Sequence, residues 1–140
     1  MAVKNELNNG ADPGRPVSVL VVMVPGRLRD SLLALLHSLP GVQQVCQAEG
    51  AAAARAMVAR EAPALLILDW DLWSEEAEAL LQEASARRPR SYCVSVVSSE
   101  GQRVSAWKFG SDAVLVRGFS LHELEAVVQR CAAPVSSQPA

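Results

Sequence analysis

The sequence predicts an α/β domain built on a doubly wound parallel sheet, and three observations carry that expectation. Short apolar runs alternate with stretches of helical periodicity along nearly the whole chain. Three of these runs are almost continuously apolar, as strands covered by helices on both faces must be. About five strand-helix units follow one another, an order that favours parallel pairing through right-handed crossovers.

The elements follow in order. The first run, VSVLVVMV from Val17, stops at Pro25 and is far too short to span a membrane. Leu28, Leu32, Leu35, Leu36 and Leu39 then recur at helical spacing. The second run, VQQVCQA from Val42, is more polar and fits an edge strand, and Ala51–Arg60 is an alanine-rich stretch of strong helix formers. ALLILD from Ala64 is the third strand. Ser74 with Glu75 and Glu76 opens the third helix, and Arg87 and Arg88 before Pro89 close it, with charges that suit the helix dipole. The RRPR run is therefore read as a solvated helix end and not as a nucleic-acid patch.

YCVSVV from Tyr92 is the fourth strand. Ser99-Glu100-Gly101-Gln102 has capping-box spacing and starts the fourth helix, and Gly110 stands where a left-handed C-cap is expected. AVLVR from Ala113 is the fifth strand, and a second capping box, Ser120-Leu121-His122-Glu123, starts the last helix. Residues 1–16 and 132–140 are polar or small and lack periodicity, so they are read as flexible tails around one domain at 17–131.

Composition narrows the function. With 140 residues, half of them apolar, the chain can bury roughly two-thirds of its unfolded surface and needs no disulfide or metal to fold. Thirteen basic against fifteen acidic residues leave a charge of −2, which argues against nucleic acid or anionic lipid as a partner. Cys46, Cys93 and Cys131 are odd in number and far apart, so buried free thiols in a reducing, cytoplasmic setting are expected. Residues 1–16 contain no apolar stretch of the kind a signal peptide needs.

Ligands of such a sheet gather beyond the carboxyl ends of its strands. The residues placed there are Met23 and Val24 after the first strand, Asp69 and Asp71 after the third, Ser98 after the fourth and Arg117 at the end of the fifth. A carboxylate, a hydroxyl and a guanidinium converging on one edge offer a nucleophile, a donor and a fixed cation, which together suit a phosphoryl group.

From about Val17 to Cys131 the chain resembles the receiver domain of two-component response regulators. Asp69 in LLILDWDLW stands where that family has its phospho-accepting aspartate, and Ser98 in VSVVSS matches the Thr/Ser that ends strand four. Gly110-Ser111-Asp112-Ala113 resembles the G-A-D segment, and FSLHEL from Phe119 resembles the opening of helix five. The resemblance implies a flavodoxin-like (βα)5 sheet in strand order 2-1-3-4-5. It further implies protein partners, a histidine kinase or a downstream effector, and a homodimer or partner face made of the fourth helix, fifth strand and fifth helix.

The departures from the family bear on function. Met23 and Val24 replace the acidic pair that holds magnesium, and neither offers an oxygen to a hard cation. Arg117 replaces the lysine, Gly118 the proline after it, and Val114 the aromatic of strand five. A bidentate pair between Arg117 and Asp69 is expected to hold the site in one state. The chain is therefore expected to be a stand-alone, degenerate receiver that acts through protein contacts. It is read as no enzyme and as carrying no cofactor, magnesium having lost its acidic pair.

Two alternatives stand beside this reading. One is an active receiver accepting phosphate on Asp69 from a histidine kinase. The other is a flavodoxin-like small-ligand-binding protein or enzyme, for which Pro25-Gly26-Arg27 is the one candidate anion turn. Trp70 and Trp73 are read as capping the pocket or anchoring a partner, and Trp107 and Lys108 as part of a partner surface. His37 and His122 are assigned solvated or structural roles.

Overall fold

Five strands, β1 (Val17–Val22), β2 (Val42–Ala48), β3 (Leu65–Asp69), β4 (Tyr92–Val97) and β5 (Ala113–Val116), form one sheet in the order β2-β1-β3-β4-β5. All four pairings are parallel. Helices α1 (Arg27–Ser38), α2 (Ala51–Glu61), α3 (Ser74–Ala86), α4 (Glu100–Lys108) and α5 (Leu121–Ala132) alternate with the strands. The structure is a computed structural model that describes residues 17–71, 74–87 and 90–132. Of the tails expected at 1–16 and 132–140, Ala132 is instead the last residue of α5, and the rest, with Leu72, Trp73, Arg88 and Pro89, lie outside the described residues. Among the described residues no helix is long and apolar enough to cross a membrane.

The two-residue alternation of strand side chains divides the core. Val17, Val19, Val21, Leu65, Ile67, Val94, Val96 and Leu115 face one way and pack on Leu32 and Leu36 of α1 and Leu124, Val127 and Val128 of α5. Leu20, Val22, Leu66, Leu68, Cys93 and Val97 face the other way, onto α2, α3 and the Ala106 side of α4. Each buried leucine or valine contributes roughly 1.5–3 kcal/mol by leaving water, so both faces are needed and the central strands read as continuous apolar runs. β2 sits at an edge, as its glutamines require.

Both serines of the capping-box segments cap their helices. Ser99 Oγ accepts the Gln102 amide at 3.2 Å and Ser120 Oγ accepts the Glu123 amide at 3.1 Å. At the other end of α4 the Gly110 amide donates to Trp107 and the Ser111 amide to Ala106, a Schellman ending with Gly110 at φ +113°. A side chain there would be strained, and its Cβ would stand 2.9 Å from Ser85 Oγ.

Arg90 of the RRPR run is exposed and also paired: its Nη1 donates to both Asp112 carboxylate oxygens at 2.8 and 2.7 Å, and its guanidinium donates to the Gly110 and Ser85 carbonyls as well. Asp112 in turn accepts the Cys93 amide at 2.8 Å, so this pair pins the start of β4 to the start of β5. Arg87 reaches the Ala59 carbonyl of α2 at 3.4 Å. None of the three cysteines forms a disulfide, and only Cys93 is buried, Cys46 and Cys131 being partly exposed. Burial pushes the Cys93 thiol up to about 12, which leaves it a protonated core group at neutral pH.

Candidate functional site

Strand parity puts Met23, Asp69 and Arg117 on the same side of the sheet. Met23 follows Val19 and Val21, Asp69 follows Leu65 and Ile67, and Arg117 follows Ala113 and Leu115. The register that pairs Val22 with Leu68 carries Met23 on beside Asp69. On the far flank the Arg117 amide donates to the Val97 carbonyl at 2.8 Å, continuing the ladder past β5 and placing Arg117 beside Ser98.

Asp69 is 2% exposed, and its Oδ1 accepts the Asp71 amide at 3.0 Å. This Asx turn folds the loop after β3 back on itself and returns the Asp71 carboxylate to the edge. Arg117 closes the arrangement. Its Nη2 lies 2.7 Å from Asp69 Oδ1 and 2.9 Å from Asp71 Oδ2, and its Nε donates to Ser98 Oγ at 3.0 Å. Ser98 Oγ donates to Asp71 Oδ2 at 2.6 Å.

The bidentate fork expected between Arg117 and Asp69 is therefore corrected to a bridge, one nitrogen shared by two carboxylates. The physical reason is that the Asx turn brings a second carboxylate within reach, and a shared guanidinium screens both charges from each other. Donors around Asp71 hold its carboxyl below the ordinary carboxylate value, the Ser98 hydroxyl foremost and the Gln102 amide next, against a smaller effect of burial.

Of the residues placed at this edge by sequence, Asp69, Asp71, Ser98 and Arg117 converge. Met23 does not line an open pocket; at 1% exposure its thioether belongs to the core below the site. Val24 is 44% exposed and turned to solvent. Trp70 is the other correction. Expected to cap the pocket or anchor a partner, it is instead buried on the α2–α4 side of the core, and its indole N–H donates to Ser95 Oγ at 2.8 Å. Leu66, Leu68 and Trp70 share one parity, so the ring continues the strand's inward face. Trp73 lies outside the described residues.

Gln102 is the residue that sequence reasoning missed as a site group. Its Nε2 donates to Asp71 Oδ1 at 2.9 Å and to the Trp70 carbonyl at 3.4 Å, while its Oε1 accepts the Ser98 amide at 2.7 Å. Its capping-box position carried the signal that it starts α4, but not that its side chain reaches across to the loop after β3.

Trp107 and Lys108 are exposed at the end of α4, where Lys108 Nζ stands 5.7 Å from the Phe109 ring centre. His37 and His122 are exposed on α1 and α5. Among the described residues no group of three or more His, Cys, Asp or Glu is placed to hold a metal ion. A cavity of about 260 Å³ lies elsewhere, between β1, β2 and the end of α2, and includes none of the site residues.

No protein-family model and no curated relative matches the sequence. Solved structures do match. A candidate response regulator from Chloroflexus aurantiacus J-10-fl is 17% identical with TM-score 0.75, over 84% of this chain and 98% of that one. The receiver domain of a sensor histidine kinase from Pseudomonas aeruginosa PAO1, with a magnesium ion coordinated in its active site cleft, is 20% identical with TM-score 0.72, over 81% and 95%. NtrX from Brucella abortus is 26% identical with TM-score 0.71, over 82% of this chain but 26% of that protein. The sheet order, the alternating helices and these likenesses agree: the chain has the receiver-domain fold of two-component signalling proteins.

Proposed function

We propose that the chain is a degenerate receiver, a signalling module whose output is a protein contact and not a cycle of aspartyl phosphorylation. One observation carries the reading: the Arg117 guanidinium bridges Asp69 and Asp71 at 2.7 and 2.9 Å, where a receiver would need a divalent cation. Magnesium demands six oxygens in octahedral array. The edge offers two carboxylates already held by a cation, beside a thioether in the core and a valine in solvent. These residues do not fit the ion.

Phosphoryl transfer to Asp69 brings an anion against a carboxylate, and a metal ordinarily offsets that repulsion and aligns the reactants. Arg117 supplies charge but is shared between two carboxylates and anchored to Ser98, so it offers no open coordination position. The role we assign is thus non-catalytic, with no cofactor, and three cysteines outside any disulfide suit a reducing cytoplasm.

Protein partners, a histidine kinase or a downstream effector, follow from the resemblance. The face offered to them, or to a second copy, exposes Val104 and Trp107 of α4, Val116 of β5 and Leu121 of α5. Acetyl phosphate with magnesium, read by intact mass, is expected to leave the wild-type chain unmodified. A magnesium-dependent phosphoryl adduct that disappears in Asp69→Asn is the result that would make the chain an active receiver.

A further inference from the structure

The sheet is underfilled at its amino end, far from the Asp69 edge. The β1–β2 ladder slips there by one residue, Val17 pairing with Val42 but Ser18 with Gln44, which leaves Gln43 as an extra residue of the kind that bends a strand. Over this stretch α2 turns only Ala54 and Val58 fully onto the sheet. The cavity of about 260 Å³ lies where the bend and the small side chains meet. At about 30 Å³ for each water, it has room for roughly eight.

Its lining divides in two. Leu20 and Pro63 are buried at the inner end, and Cys46 and Met57 line it as partly buried groups packed on the α2–α4 side of the core. Gln43, Gln44 and Glu61 line it as exposed residues and so form the mouth. Met57 and Glu61 are four residues apart on α2, so one stripe of the helix brings a thioether to the wall and a carboxylate to the opening.

The mouth is rich in acceptors. Gln44 Nε2 donates to Cys46 Sγ at 3.6 Å, and Arg60 Nε reaches Glu61 Oε2 at 3.3 Å. The Gln44 amide oxygen and Glu61 Oε1 have no donor among the described residues. Ser18 is already engaged, its Oγ accepting the Ala64 amide at 3.0 Å. No lysine, arginine or histidine lines the cavity. A carboxylate and amide oxygens without a lining cation repel an anion and attract a cation. The inner wall asks for an aliphatic body, and an alkyl stem with a charged head satisfies both ends, the stem leaving water while the head stays in it.

We infer that this cavity is a binding site for a small primary alkylammonium ion, its chain against Leu20, Cys46 and Met57 and its head at Glu61 and Gln44. The inference rests on no reading of the Asp69 edge, so either can fail without the other. Because Glu61 is exposed, the head-group contact is screened by salt.

The test is a titration of hexylammonium, hexanol and hexanoate into wild type and Glu61→Gln, followed by the amide resonances of Leu20, Cys46 and Met57. Alkylation of Cys46 and Cys131 by iodoacetamide, read peptide by peptide, is the second readout. In wild type, hexylammonium is expected to shift all three amides saturably and to slow alkylation of Cys46 at least fivefold while leaving Cys131 unchanged. Hexanol is expected to bind at least tenfold more weakly, and hexanoate to give no saturable shift. Glu61→Gln, a change at an exposed helix end, is expected to bring hexylammonium down to the affinity of hexanol, as is raised salt in wild type. No saturable shift with hexylammonium overturns the inference, as does equal binding of all three probes. An ammonium preference that survives in Glu61→Gln overturns it too.

Discussion

Replacing Trp70 with alanine is expected to lower the unfolding free energy by about 3–5 kcal/mol through the lost ring alone. The cost is large because the indole is fully buried and packs among Leu66, Leu68, Leu80, Leu81 and Ala84 on the α2–α4 side of the sheet. The truncation also strands the Ser95 hydroxyl, which is itself buried and has the indole N–H as its 2.8 Å donor. Trp70→Phe keeps most of the apolar contact and removes that donor, so a smaller loss of about 1–2 kcal/mol is expected. Urea unfolding of the two variants separates packing from hydrogen bonding. A near-neutral Trp70→Ala would mean that the ring stands at the surface, where the loop sequence alone would place it.

The second prediction concerns the cation. The triple variant Met23→Asp, Val24→Asp, Arg117→Lys is expected to gain saturable magnesium binding in the low millimolar range. It gives the edge new carboxylates where Met23 and Val24 stand, and it replaces the bridging guanidinium with a mobile ammonium that no longer spans Asp69 and Asp71. Without metal the variant should be destabilised by about 3–5 kcal/mol, because Met23 is a core side chain at 1% exposure and a buried carboxylate beside Asp69 has no partner. Magnesium at a hundredfold excess over its dissociation constant should return about 2.7 kcal/mol. A melting temperature that rises with magnesium in the triple variant and stays flat in wild type is the expected pair of results. A variant that folds and ignores the ion would locate the defect somewhere other than these three positions.

Much of the fold was legible because it rests on periodicity. The parity of Val17, Val19 and Val21 against Leu20 and Val22, and the polar second strand, are properties of the sequence itself, and they decide which helices cover which face. Asp69, Ser98 and Arg117 were legible for a related reason, since strand ends fix which side chains reach the edge.

The rest depended on bonds that cross between elements. Asp71 becomes the hub only because an Asx turn from Asp69 folds the loop back, and Gln102 joins it only because its side chain spans from α4 to that loop. Neither contact follows from spacing along the chain. The Arg90–Asp112 clamp was hidden in the same way, its partners being twenty-two residues apart. The direction of Trp70 was a different case. Counting two residues on from Leu68 gives its inward orientation, a signal that the polar neighbours of the loop obscured.

The state of wild-type Asp69 comes down to whether this edge accepts a cation together with a phosphoryl-like anion. Titrating magnesium and beryllofluoride into the wild-type chain, and following the amides of Asp69, Ser98 and Arg117, answers that. No saturable shift is expected at any of the three, with the Arg117 bridge intact throughout. A shift that saturates at low millimolar magnesium and vanishes in Asp69→Asn would contradict it.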